Sequence, residues 1–246
     1  MKNIIGRVHS VETLGTRDGP GLRCVFFLAG CNFRCQYCQN PDTWSIRASG
    51  RMTLAEARAR LEPLTPYLRQ HGGGVTVSGG EPTLQADFVI GLFKIAHDLK
   101  LNTALDTNGS CKPAAAERIL AETDVVLLDI KASREALHRS LTGQPLAPVL
   151  AFGRQAARVP GRLVLRRVLL PGMNDSAEEI DGLSDYALSL ENTPPVELIG
   201  YHRLGVHKWR ELGLAYPLQT LKPPSRALWA RVARKLRSRG LKVLAG

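Results

Sequence analysis

The chain has 246 residues, of which 44% are hydrophobic and 22% charged, and a formal net charge of +11. These proportions suit one globular α/β domain spanning 1–246 and exclude a disordered or low-complexity protein. No apolar run approaches the ~18 residues of a membrane span, and the opening MKNIIGRVHSVETLG lacks a secretory h-region. A cytoplasmic location without a membrane partner is therefore expected, and in that compartment clustered cysteines point to metal or catalysis.

Short β-rich runs alternate with longer helical patterns, the mark of βαβ units around a parallel sheet. Strands are predicted at RCVFFLAG (Arg23–Gly30), GVTVSG (Gly74–Gly79), NTALDT (Asn102–Thr107), VVLLDIK (Val125–Lys131), RLVLRRVLLPG (Arg162–Gly172) and VELIGYH (Val196–His202). Helices are predicted near Thr53–Gln70, Leu84–Leu99, Pro113–Glu122, Ser133–Thr142, Pro148–Arg158 and Ser176–Leu190. Thr53 opens the first of these with a T-x-x-E capping box to Glu56. The tail 212–246 has no Asp or Glu but eight Lys or Arg, so it holds +8 of the +11 and packs as part of the domain. Its pattern predicts a terminal helix capped by Ser225, with Leu228, Val232, Leu236 and Trp229 as the buried stripe. The charge concerns encounter with acidic partners, and nucleic acid is not an expected partner.

The strand ends carry Cys31, Gly79–Gly80–Glu81, Asp106–Thr107–Asn108, Asp129–Lys131, Arg166 (within its strand) and His202. In a parallel β/α barrel such ends share one rim, where active sites form. The stretch GCNFRCQYCQNPDTW holds Cys31, Cys35 and Cys38 as C-x3-C-x2-C. Structural zinc takes four ligands, and no fourth partner stands nearby. Three thiolates suit a 4Fe-4S cluster with one iron left open to a substrate. Cys24, within a strand, and Cys111 read as buried hydrophobes. The glycines of HGGG and VSGG lack the lysine and spacing of a P-loop.

Joined to the downstream SGGEP (Ser78–Pro82), the cysteine triplet with Tyr37 before its last member resembles the radical S-adenosylmethionine (SAM) superfamily. The blocks IIGRVHSVETLGTRDGPGLR, FFLAGCNFRCQYCQNPDTW, GGGVTVSGGEPTLQADF, ALDTNG, LLDIK, LLPGMNDS and YHRLGVHKW extend the likeness over nearly the whole chain, to the glycyl-radical-enzyme activases. The resemblance implies a partial (β/α)6 barrel of mostly parallel strands, open on one side. It implies reductive cleavage of SAM, with 5′-deoxyadenosine and methionine released, and hydrogen abstraction from a glycine of a partner protein. Many activases of other glycyl radical enzymes insert a ferredoxin-like region with further cysteine clusters after the triplet, and the ribonucleotide-reductase activases are far shorter. Here only 14 residues, with no such cluster, separate Cys38 from Thr53, so the resemblance implies pyruvate formate-lyase, or a close relative, as the target. The alternatives are another glycyl radical enzyme as target, or a small-molecule radical SAM enzyme of the carboxy-deazaguanine synthase type. Flavodoxin or ferredoxin is the implied electron donor.

Carried onto matching positions, the resemblance gives the cluster to Cys31, Cys35 and Cys38. It places Tyr37, Cys38, Gln39, Gly79, Gly80, Glu81, Asp129, Ile130, Lys131, Arg166 and His202 beside SAM. Asp106 and Asp129 would hold a monovalent cation against the SAM carboxylate, and Asp18 in GTRDGPG would face the protein substrate. From the residues alone, Asp106 also fits an Asx-turn, and Asp129 with Lys131 a surface ion pair. His202 alone could be structural, while His207 and Trp209 read as packing or partner contacts. Gln39 departs from the family's usual histidine, and Arg203 and Val206 from its usual acidic and basic residues.

Overall fold

The parallel strands are apolar on both faces because both faces are covered. In the computed structural model, which describes residues 4–245, RCVFFL and GVTVSG are buried along almost their whole length. The chain divides into two compact units, one running to Asn32 and then over Thr43–Leu127, the other Phe33–Asp42 with the chain from Leu128 onward.

The first unit contains β1 (Ile5–Gly15), β2 (Arg23–Leu28), β3 (Gly50–Thr53), α1 (Leu54–Leu61), α2 (Thr65–Gln70), β4 (Gly74–Gly79), α3 (Ala86–Asp98), β5 (Asn102–Thr107) and α4 (Pro113–Leu120). Its strands lie in the order β3-β1-β2-β4-β5. The β3–β1–β2 pairs are antiparallel, and β2–β4–β5 are parallel. Strand β6 (Val125–Asp129) crosses from the first unit's sequence into the second's. The second unit continues with α5 (Glu135–Thr142), α6 (Ala147–Ala156), β7 (Leu163–Leu169), α7 (Ala177–Ser189), β8 (Val196–Gly200), α8 (Val206–Glu211), α9 (Arg226–Ser238) and β9 (Val243–Ala245), with β7, β8 and β9 parallel.

All six predicted strands form, those at Gly74–Gly79 and Asn102–Thr107 with the expected bounds. The antiparallel β1 and β3, the short β9 and helix α8 were not expected. The helix predicted over Thr53–Gln70 is broken: α1 ends at Leu61, a 3-10 turn covers Glu62–Leu64, and α2 begins at Thr65. Pro63 and Pro66 supply the reason, since neither has an N–H to continue the helical ladder. Thr53 does make its capping box, with Thr53 Oγ1 accepting from Glu56 N and Glu56 Oε2 accepting from Thr53 N at 2.7 Å.

One cation sits entirely inside the first unit. Arg23 is fully buried, and its guanidinium donates to Thr76 Oγ1, Asn102 Oδ1 and the carbonyls of Pro20 and Val75. Burial pulls its pKa down to about 10. Thr76 Oγ1 in turn donates to the Asp18 carbonyl at 2.6 Å, so the GTRDGPG loop is tied to β4 through its backbone.

Helix α9 is capped by Ser225 as expected, with Ser225 Oγ accepting from Leu228 N. Val232 and Leu236 are buried with Ala233, but Leu228 and Trp229 are only half-buried, so the stripe is narrower than predicted. Part of the basic charge is neutralised within the unit. Arg231 pairs with Asp175, Lys235 with Asp181, and Arg239 with Asp181 and Asp185, at 2.6–3.2 Å. No described helix is long and apolar enough to cross a membrane.

Substituting Thr53→Ala removes the acceptor that caps α1. We expect the unfolding free energy in a guanidinium titration to fall by about 1 kcal/mol with an unchanged slope.

Candidate active site

In the first unit, β4 and β5 end side by side, and their polar ends meet. Glu81, fully buried just past β4, accepts from Thr83 N (3.0 Å), Thr83 Oγ1 (2.7 Å), Thr107 Oγ1 (2.6 Å) and Asn108 N (2.8 Å). Burial raises its pKa, and the hydrogen bonds from Thr107, Thr83 and Asn108 pull it back. Asn108 thereby gains a fixed backbone, and its side-chain amide donates to Asn32 Oδ1 at 3.0 Å and reaches Cys31 Sγ at 4.0 Å. Asp106 accepts from Ser78 Oγ at 2.7 Å, and Asn108 Oδ1 accepts from Ser110 N, so the Asx-turn in this segment belongs to Asn108.

The glycines of SGGEP are needed for steric reasons inside the unit. Gly79 has φ +107°, which glycine adopts freely. At Gly80 a Cβ would lie 2.2 Å from the Gly30 carbonyl oxygen, so only a bare backbone fits. Asp18 is half-buried on its loop, and a Cβ on Gly15 would come 3.3 Å from Asp18 Oδ2.

The second unit holds Cys35, Tyr37, Cys38 and Gln39 on a loop anchored at both ends. Arg34 N and Gln36 N donate to the Thr142 and Leu141 carbonyls at the end of α5, and Cys38 N closes a turn onto Cys35 O at 3.1 Å. On the far side, Trp209 Nε1 donates to Cys38 O at 2.9 Å. Gln39 Nε2 donates to His202 O at 3.0 Å, and Gln39 Oε1 accepts from Gly205 N at 2.8 Å. Lys208 Nζ reaches Asn40 Oδ1 at 2.8 Å and Asp42 Oδ2 at 3.0 Å. The YHRLGVHKW block is thus a clasp on the cysteine loop. Trp209 packs, edge-on to Tyr216 at 5.3 Å, as the sequence suggested. His202 and His207 are exposed.

Behind this loop, Lys131 Nζ pairs with Asp129 Oδ2 at 2.5 Å and lies 5.8 Å above the Tyr37 ring centroid. Their side chains are only 13% and 22% exposed, so this is no surface pair. Burial would lower the lysine pKa, but Asp129, Tyr37 and Cys35 outweigh it and hold the ammonium well above its usual value. Tyr37 is buried, its hydroxyl has no partner among the described residues, and burial raises its pKa. Ile130 is buried, with its N–H on the Arg166 carbonyl, and Arg166 pairs with Glu197 across the β7–β8 ladder at 2.8 Å.

Sequence reasoning missed the scaffold of Lys131. Asn174, of LLPGMNDS, donates from Nδ2 to Lys131 O and Val168 O and accepts from Leu170 N. Glu179 and Arg167 form a fully buried pair at 3.4 Å, and Glu179 also accepts from Ser133 N at 2.6 Å. Only the odd placement of Arg167 in an apolar strand could have signalled this.

Among the described residues, no group of three or more His, Cys, Asp or Glu side chains is arranged to hold a metal ion. None of the five cysteines is in a disulfide. Cys24 is buried as expected, whereas Cys111 is only half-buried, with its pKa pushed up to about 12 by burial. The donor set of the triplet is purely thiol, soft ligands that suit iron–sulfur, and a tyrosine hydroxyl stands unpartnered within the same loop.

A family model described as the radical SAM superfamily matches residues 25–183. The chain belongs to the radical SAM superfamily and has its fold, with a mixed parallel and antiparallel sheet. Within it, the chain is closely related to pyruvate formate-lyase-activating enzymes. It is 42% identical over 226 residues to that of Staphylococcus epidermidis, covering 89% of this chain and 90% of that one. The Staphylococcus aureus protein of the same name matches at the same identity and coverage. Among solved structures, a domain of pyruvate-formate lyase-activating enzyme from Bacteroides vulgatus aligns with TM-score 0.60 and 24% identity, over 71% of this chain and 99% of that one. A radical SAM methyltransferase from Sphaerobacter thermophilus aligns with TM-score 0.68 and 18% identity, over 98% and 77%.

Because the Glu81 pKa is raised on folding, its contribution to stability is present at low pH and is lost as pH rises from the ordinary glutamate value of 4.5 through the raised one. Denaturant titrations across that range should show this decline in the wild type and a flatter profile in Glu81→Gln. An unchanged profile would contradict the assignment.

Proposed function

We propose that this protein activates a glycyl radical enzyme, pyruvate formate-lyase, by hydrogen abstraction from one glycine. The observation that carries the reading is the 42% identity to pyruvate formate-lyase-activating enzymes along nine-tenths of both chains. The whole of 1–246 is taken as one radical SAM domain, since the family match runs through both units.

On this reading, Cys31, Cys35 and Cys38 would hold a 4Fe-4S cluster, which would supply the single electron that splits the sulfonium of SAM and leaves methionine. The 5′ carbon would then take a hydrogen atom from the glycine α-carbon, giving 5′-deoxyadenosine and a backbone radical. The electron enters from an external carrier, flavodoxin or ferredoxin, in the cytoplasm. The protein's own part is placement. Gly80 and Glu81 fix the turn after β4, while Lys131 and Arg166, each paired with a carboxylate, would contact SAM and line its cavity. Asp106 and Asp129 would take up a monovalent cation, and the remaining contacts assigned from sequence, Tyr37, Gln39, Gly79, Ile130 and His202, line the nucleotide. Asp18 lies on a loop fixed through its backbone to Thr76, and its carboxylate would meet the protein substrate.

Anaerobically purified protein should be brown with about four irons per chain. With SAM, a reductant and pyruvate formate-lyase it should generate a glycine-centred doublet by EPR, one 5′-deoxyadenosine per radical. A colourless zinc protein, or no doublet with intact iron, would overturn the reading. Cys35→Ser should abolish 5′-deoxyadenosine formation altogether. Asp18→Asn should instead raise the pyruvate formate-lyase concentration needed for half-maximal activation, with partner-free SAM cleavage unchanged.

A further inference from the structure

Strand β1 outruns its outer neighbour. Strand β3 pairs with it only from Ile5 to Val8, where Val8 faces Gly50, whereas β2 on the other side continues to Gly15. β3 is the outermost strand of the sheet and β1 has no third neighbour, so beyond Val8 the β3 side of β1 meets no strand among the described residues. The pairing with β2 is regular over Ser10–Glu12, between register shifts at Val8/Ser10 and Glu12/Gly15. The run ends in Leu14, 55% exposed, and passes directly into the Gly15–Gly21 loop. A strand edge left in this state offers its N–H and C=O groups to another chain.

A second feature lies at the corner where β3 stops. A cavity of about 260 Å³ opens there, floored by the buried Val8 and Met52 and walled by Ser10, Arg51 and Arg60. Its lining includes no carboxylate, and both arginines are exposed. An unpaired edge beside a basic cavity combines the two parts of strand-addition recognition. Main-chain hydrogen bonds give affinity without regard to sequence, and a side-chain pocket gives selectivity.

We propose that this edge is a docking surface for the protein substrate: an extended segment of the glycyl radical enzyme adds as a strand along Ser10–Leu14 and places an acidic side chain in the cavity against Arg51 and Arg60. The proposal rests on the activase reading above and adds a second attachment beside the Asp18 loop. Glu12, exposed in the same run, repels a negative residue directly opposite, which fixes the acidic side chain at the cavity end. Docking here would hold the partner while its glycine segment is engaged elsewhere, so it governs partner affinity and not SAM cleavage.

Hydrogen exchange of the iron-loaded enzyme, with and without pyruvate formate-lyase, tests this directly. The amides of Ser10–Leu14 should slow on adding the partner. An Arg51→Glu/Arg60→Glu double variant should lose that protection. It should also need about tenfold more partner for half-maximal radical formation, as charge reversal at an interface demands. Its SAM cleavage without partner should match the wild type, and added salt should weaken partner binding only in the wild type. The proposal is overturned if the radical forms while exchange at Ser10–Leu14 stays unchanged, or if the double variant activates like the wild type. Protection that grows with enzyme concentration alone would assign the edge to a second copy of this chain and also overturn it. Failure of the wild type to form any radical is a different result: it removes the activase reading, and this proposal with it.

Discussion

The cysteine loop has almost no regular structure of its own, so its shape depends on hydrogen bonds from segments far away in sequence. Two of the three cysteines lie in residues 33–40, where no helix or strand satisfies the backbone, and buried backbone groups without partners are costly. The partners come from two places. The end of α5 offers the Thr142 and Leu141 carbonyls, which a helix terminus leaves unused, and the 201–209 segment offers Trp209, Gly205 and Lys208. Gly205 is part of the same constraint, since a Cβ there would fall 2.3 Å from the Gln39 carbonyl oxygen. A loop held in this way can keep thiols in fixed positions before anything binds to them.

Much of the fold was legible because its signals are local. Six strands and the helix starts at Thr53, Ser176 and Ser225 follow from apolar runs and capping residues. Strands β1 and β3 escaped notice because VHSVETLG has apolar residues only at Val8, Val11 and Leu14, with no two-residue alternation, and GRMT is only four residues long. The site divided in the same way. Motif spacing picked out the cysteines, SGGEP, Asp129 and Lys131, whereas the partners that hold them were silent. Glu197 opposite Arg166, and Asn174 beneath Lys131, depend on strand register and loop course, which no short window encodes. The Gln39 amide bridges His202 O and Gly205 N, a structural tie that the spacing of the cysteine motif did not signal.

The basic tail is less unbalanced than its composition suggests. Arg231, Lys235 and Arg239 lie along one flank of α9 and are matched by Asp175, Asp181 and Asp185 on and just before α7. Pairs this exposed add little stability individually. Their effect is orientation: they fix which side of α9 meets α7 and leave Arg226, Arg234 and Arg237, within one arc of the helix, facing the other way.

The glycines at the two ends of β4 have a consequence for how such a sequence can drift. Gly80 is excluded from carrying a side chain by the chain's own Gly30 carbonyl, and Gly73 and Gly74 are excluded more severely, with a Cβ at 1.8 Å from Leu22 O and 1.9 Å from Asn102 O. A lineage that abandoned the chemistry but kept the fold would still be barred from replacing them. Invariance at these sites across descendants is therefore a record of backbone crowding, and a surviving glycine motif alone cannot certify that an inherited copy still works.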